Sequence, residues 1–288
     1  MEYLGFLFFM LLITLFAIMP FFLIYGLSEV VWFFLYKVVG YRKKVVRDNL
    51  MIAFPDKTDK EIKKIESKYY RNLTDILLES VKGYTMGNKT ALKRYRAKNF
   101  DIVKKHHDEG RGVIIAIGHI ANWEWGTNTL PWYLENNIYI AYKPIGNRYI
   151  DSYVKKSRSK NGAVMFPLRE TNKFFKRYAK TPSSFILVSD QNPSNPERAI
   201  WVDFFGKKTA FLHGIEYYTQ TYNMPVIFYS ITRLKRGHYE IDFSLIHDNP
   251  KDLKPGEITQ MYASKLEEEI RKHPENWLWS HKRWKHSR

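Results

Sequence analysis

A histidine and a glutamate stand five residues apart in GHIANWEWG, residues 118–126. An imidazole that is neutral near pH 7 can take a proton from a hydroxyl, and a carboxylate against the ring orients it and stabilises the cation that forms. His119 and Glu124 therefore offer general-base chemistry, provided the chain turns between them, because a spacing of five does not pair two side chains within one continuous helix. More polar residues follow other apolar runs: Tyr142 and Lys143 after NIYIA, and Asp190 and Gln191 after SFILVS. Arg158 lies in the basic stretch DSYVKKSRSKNG. The chain has no cysteine, which excludes disulfides, thiolate metal sites and thiol nucleophiles. The histidines nearest in sequence, His106 and His107, read as an exposed, charged helix end, and no second carboxylate lies close to His119. No metal site is expected. The G-x-S-x-G elbow of serine hydrolases is absent as well.

These residues need a scaffold that brings strand ends together. GVIIAIG is short, β-branched and bounded by glycines, so it reads as a buried strand with His119 at its exit. Asn122 is a fitting N-cap for a helix over WEWGTNTLPWYL, which puts Glu124 in its first turn. Strand-like runs recur in NIYIAYK, GAVMFP, SFILVSD, PVIFYSITR and HYEIDFSLI, and helical stretches separate the earlier ones. The last two runs flank a turn at Lys235, Arg236 and Gly237. Amphipathic helices are expected over EIKKIESKYYRNLTDILLES and ITQMYASKLEEEI. The pattern predicts an α/β fold, a mostly parallel mixed sheet flanked by helices that ends in an antiparallel hairpin. In such sheets ligands bind beyond the carboxyl ends of the strands, where His119, Tyr142, Lys143, Asp190 and Gln191 all fall.

The first residues are of another kind. From Tyr3 to Ser28 there is no charge, and the run is long enough to cross a bilayer core of about 30 Å. Residues 1–40 are read as a membrane anchor or interfacial helices and 41–288 as the catalytic domain. Arg42, Lys43, Lys44 and Arg47 follow at once, which places that flank on the cytoplasmic side of the membrane. Forty-six Lys and Arg against 29 Asp and Glu give a formal charge of +17, implying an anionic partner. Nucleic acid does not fit, since it leaves the apolar start and the strand-end pair unexplained. The tail WLWSHKRWKHSR interleaves tryptophans with cations in the manner of a membrane-interface element, though it could equally pack against the domain.

The ordered pattern of H-x4-E in GHIANWEWG, then YKP, SDQNP, DFFGKKTAFLHG and the closing HPENWLWSHKRWK resembles the lipid A late acyltransferases, the lauroyl and myristoyl transferases of the lysophospholipid acyltransferase superfamily. RDNLMIAFPDKT near the start resembles them too, so the likeness covers nearly the whole chain. It implies a glycerolipid acyltransferase-like fold at the inner membrane. It also implies acyl transfer from an acyl carrier protein or coenzyme A thioester to a hydroxyl of a lipid A precursor, with no cofactor. His119, oriented by Glu124, would act as general base without an acyl-enzyme, because a thiol already leaves readily. The likeness connects Arg158 with the active site and matches Asp190 and Gln191 to a pair that organises the site or the acceptor; Tyr142 and Lys143 join them as substrate-binding residues. His213 receives no role. A lyso-aminolipid or lysophospholipid is the alternative acceptor, since the transfer motifs do not read the acceptor.

Overall fold

The computed structural model describes residues 2–286. Two apolar helices come first, α1 (Glu2–Ile18) and α2 (Phe21–Trp32). Pro20 separates them because it lacks the N–H that a continuing helix needs. A π-helical turn, Phe33–Val38, extends α2, and together Phe21–Val38 is long and apolar enough to cross a membrane. Helix α3 (Lys43–Ala53) leads to α4 (Asp59–Gly83), which opens on a capping box between Thr58 and Glu61. Next come α5 (Asn88–Arg94), β1 (Tyr95–Lys98), α6 (Asp101–Asp108) and β2 (Val113–Ile117). Beyond β2 the expected single helix is broken into a 3-10 turn (Trp123–Trp125), α7 (Gly126–Thr129) and α8 (Pro131–Leu134). The order continues with β3 (Asn137–Tyr142), α9 (Arg148–Arg158), β4 (Val164–Pro167), α10 (Thr171–Tyr178) and β5 (Ser183–Val188). The chain closes with β6 (Ile200–Phe204), β7 (Lys207–Phe211), α11 (Gly214–Tyr222), β8 (Val226–Lys235), β9 (His238–His247) and α12 (Glu257–Lys272).

Seven strands form one sheet in the order β1-β9-β8-β2-β5-β3-β4. Every pairing is parallel except β8 with β9. Strand β2 is central and wholly buried, as a β-branched run covered on both faces must be. The expected strands are β2, β3, β4, β5, β8 and β9. Edge strand β1 and the separate β6–β7 hairpin were not anticipated. Both are short, and the β6–β7 turn and β7 lie within the DFFGKKTAFLHG stretch, whose glycine and charges break any long apolar run.

Helices α1 and α2 lie along the rest of the chain. Phe9 meets Tyr153 of α9 edge-on, with ring centroids 5.7 Å apart. Lys82 Nζ donates to the carbonyls of Phe16, Ala17 and Met19 at 2.8–3.0 Å, closing the end of α1. Ser28 of α2 donates to Asp75 of α4 at 2.6 Å, while Glu29 pairs with Arg71 and Arg236. The opposite face of both helices is exposed and apolar, including Leu4, Phe8, Ile18, Phe22, Val30 and Phe34.

One expectation is corrected here. His106 and His107 are buried, because α6 lays them under the sheet, where His107 meets Asn136 and Ser184. Of the two readings of the tail, packing against the domain is the one seen: Trp277, Trp279 and Arg283 are buried, while Lys282 and Lys285 are exposed.

Candidate active site

Neighbouring parallel strands end side by side, so β2 and β5 deliver His119 and Asp190 to the same place. The Asp190 carboxylate accepts from the His119 backbone N–H at 2.7 Å and sits 2.6 Å from His119 Nδ1. It also accepts from the Trp277 indole N–H at 2.8 Å. This closeness requires a glycine before the histidine, since a Cβ at Gly118 would lie 2.6 Å from Leu266 Cδ1 and 3.3 Å from Asp190 Oδ2. Glu124, expected against the ring, is bound to Arg158 instead, at the end of α9. The 3-10 turn points its carboxylate across the cavity, and Trp123 of the same turn fills the place beside His119, ring centroids 5.1 Å apart.

Charge and burial compete in this pair. Burial pushes the His119 ring down, but the Asp190 charge and hydrogen bond, with the Glu124 charge behind them, push it up further, leaving its pKa above the ordinary 6.5. Burial also penalises the charged form of Asp190, yet His119 and the Trp277 indole outweigh that and hold its carboxyl down at about 2. An ionised Asp190 accepting at Nδ1 fixes the proton there and leaves Nε2 as the lone-pair nitrogen. Gln191 Nε2 lies 3.3 Å from that nitrogen. Behind the pair, Arg283 is buried over the Phe211 ring at 4.2 Å, and burial brings its pKa down to about 10 despite the nearby Asp190 charge.

The loop that carries His119 is clamped from two sides. The closing segment forms a bridge between Ile120 and Trp277, with Leu278 N–H donating to His119 O at 3.1 Å and Ala121 N–H to Asn276 O at 2.8 Å. On the other side Glu79 of α4, fully buried, accepts from Asn122 at 2.7 Å, Tyr239 at 2.6 Å and Tyr25 of the anchor at 2.9 Å. Asn122 caps the turn as expected, accepting from Trp125 N–H at 3.2 Å.

Three cavities meet at His119, Glu124 and Gln191. One, of about 210 Å³, has His119, Glu124, Arg158 and Tyr142 on its walls and runs over apolar Leu130, Met165 and Ile186 towards Tyr229. A second, of about 560 Å³, leads from His119 and Gln191 past Asn172 and His213. A third, of about 480 Å³, lies between residues 35–42 and α4 and reaches Glu124 and Gln191. The structure thus gathers His119, Glu124, Arg158, Tyr142, Asp190 and Gln191. Lys143 is exposed and lines none of the three. Tyr142 donates to Asp151 at 3.1 Å. Sequence reasoning missed Glu79 and gave Trp277 no place in the site. Glu79 was findable, since it continues the apolar stripe of Leu73 and Ile76 on α4, where a lone glutamate must have buried partners.

The family described as bacterial lipid A biosynthesis acyltransferase matches residues 1–286. The chain is 21% identical over 247 residues to the lipid A biosynthesis palmitoleoyltransferase of Escherichia coli (strain K12), a match covering 85% of this chain and 79% of that one. It is similar at the same identity and coverage to the lipid A biosynthesis acyltransferase of Shigella flexneri.

Proposed function

The chain belongs to the bacterial lipid A biosynthesis acyltransferase family and is an acyltransferase, and from that premise we propose that it moves a fatty acyl chain from a thioester to a hydroxyl of a lipid A precursor at the membrane, with His119 as general base. The observation that carries this reading is the His119–Asp190 pair, which leaves Nε2 unprotonated where two cavities meet. Gln191 Nε2 is close enough to mark where an acceptor hydroxyl would sit. Nε2 takes the hydroxyl proton as the oxygen attacks the thioester carbonyl. The tetrahedral intermediate then collapses, the C–S bond breaks, and the thiolate leaves with the proton from His119.

The oxyanion needs donors. Arg158 supplies a cation on the wall of the smallest cavity, and its Nε is buried without a hydrogen-bond partner among the described residues. Glu124 keeps that guanidinium in place. The apolar cavity towards Tyr229 suits the acyl chain, and the wider one past His213 suits the arm of an acyl carrier protein or coenzyme A. The apolar anchor followed by Arg42, Lys43 and Lys44 suits attachment from the cytoplasmic side of the inner membrane, with residues 41–288 as the acyltransferase domain.

The test offers purified protein an acyl carrier protein thioester and an acyl coenzyme A in separate reactions. A phosphorylated glucosamine disaccharide lipid, a lysophospholipid and a lyso-ornithine lipid compete as acceptors, and mass spectrometry identifies the product. A new ester on the disaccharide lipid is expected. Transfer only to the lysophospholipid or the lyso-ornithine lipid would replace the acceptor named here.

A further inference from the structure

The cavity between the anchor and α4 has an apolar wall and a cationic one. Leu35, Leu73 and Ile76 supply the first and Arg42 the second, with His281 beside it as an imidazole whose pKa burial holds below the ordinary 6.5. Exposed apolar residues of the anchor, Phe34, Val38 and Val39, lead up to it, and exposed Lys43 and Lys44 follow Arg42 directly. Its other end is shared with the catalytic cavities through Glu124 and Gln191. Arg42 holds a left-handed φ of 51°, an uncommon and costly conformation for a residue with a Cβ. Its one side-chain hydrogen bond among the described residues, Nη1 to Ser280 O at 3.0 Å, ties it to the closing segment, and its guanidinium, 5.7 Å from the Tyr41 ring centroid, keeps further N–H donors for a ligand. His281 is half-buried, and its Nδ1 is buried without a partner among the described residues. Asn49 fixes the segment beneath them, donating to the carbonyls of Trp279 and His281 at 2.8 and 2.7 Å.

We infer that this cavity receives the acceptor: an anionic, phosphorylated lipid whose phosphate is bound by Arg42 and His281 while its chains lie against Leu35, Leu73 and Ile76 and its hydroxyl reaches His119. A guanidinium matches phosphate oxygens in a fixed plane, and an imidazole adds a second donor. A membrane-held substrate arrives beside the anchor, whereas a water-soluble thioester carrier arrives from the His213 side. The assignment rests on the transfer reading above and adds to it the cavity that takes the acceptor and the residues that select its phosphate.

The experiment compares wild type, Arg42→Ala, Arg42→Lys and His281→Gln, with Lys104→Gln, an exposed residue of α6, as a control for lost charge. Probes are a phosphorylated glucosamine disaccharide lipid and the same lipid after phosphatase treatment. Binding in detergent micelles and transfer at saturating thioester are both measured. Arg42→Ala should weaken binding of the phosphorylated lipid and raise its KM about tenfold, the worth of a charged hydrogen bond, with a smaller change in kcat. His281→Gln should do the same more weakly, and Arg42→Lys should recover part of the loss. The dephosphorylated lipid should bind wild type and Arg42→Ala alike. Equal losses with both lipids, or a fall in kcat alone, would make Arg42 a strut for the closing segment and overturn the site. Unchanged binding would overturn it directly. A binding difference without transfer to either lipid would uphold the site and overturn the transfer reading.

Discussion

In the proposed transfer the ring of His119 must be neutral at the moment of attack, and Asp190 governs when it is. A base with a pKa raised above 6.5 loses activity as pH falls through that raised value, so the acid limb of kcat/KM should lie on the alkaline side of an ordinary histidine. Asp190→Asn removes the charge that raises it. The limb should then shift to lower pH, and the maximum should fall by about 10²–10⁴-fold as the ring loses its tautomer. A pH profile with an unmoved limb would contradict Asp190 as the ring's partner. Arg158 acts through geometry as well as charge: Arg158→Ala should cost more than Arg158→Lys, and Glu124→Gln should add little to Arg158→Ala because the two are bound to each other. Additive losses in that double-mutant cycle would show them to act independently. Arg158, at the end of a helix, was marked only by the family likeness, whereas His119, Tyr142, Asp190 and Gln191 were legible in sequence because each comes at or just after the end of an apolar strand. Their pairing was not, since Glu124 is five residues from His119 and Asp190 is 71 away, and only the adjacency of β2 and β5 brings the distant one closer.

Between these residues and the fold stand the segments that hold the His119 loop. Glu79 joins α4, the loop, β9 and the anchor through one carboxylate. Glu79→Leu would leave three donors unpaired, a loss of about 1–3 kcal/mol for each buried group. It should lower the unfolding temperature in detergent and reduce activity together, whereas full stability in the variant would show that the hub is not needed. Gly118→Ala pushes a methyl against Leu266 and Asp190. An overpacking cost of about 1–3 kcal/mol and a disturbed His119–Asp190 pair are expected, read by thermal unfolding and by kcat. The tail's alternation of tryptophan and cation carried two meanings in sequence. Burial decides it, because Trp277 and Trp279 pack under β6–β7 and the His119 loop, contacts that no local pattern announces.

At the scale of the whole molecule, the α/β sheet was legible because buried parallel strands write themselves as short apolar runs between helices. The anchor's docking was not, since hydropathy marks what avoids water without saying whether lipid or protein covers it. Deleting residues 1–39 would remove Tyr25 and Ser28 from Glu79 and Asp75 and uncover α4. The truncated protein should lose membrane attachment and unfold at lower temperature, checked by fractionation and thermal scans. A stable, salt-soluble and fully active remainder would show the anchor to be dispensable. The central claim, that His119 is the base that lets a lipid hydroxyl take the acyl chain from a thioester, is tested most directly by one comparison. Wild type and His119→Ala, matched for unfolding temperature, are given acyl thioester and phosphorylated glucosamine disaccharide lipid, and ester formation is followed by mass spectrometry. Wild type should form the ester, and the variant should be slower by about 10²–10⁴-fold. Near-normal ester formation by folded His119→Ala would contradict the account.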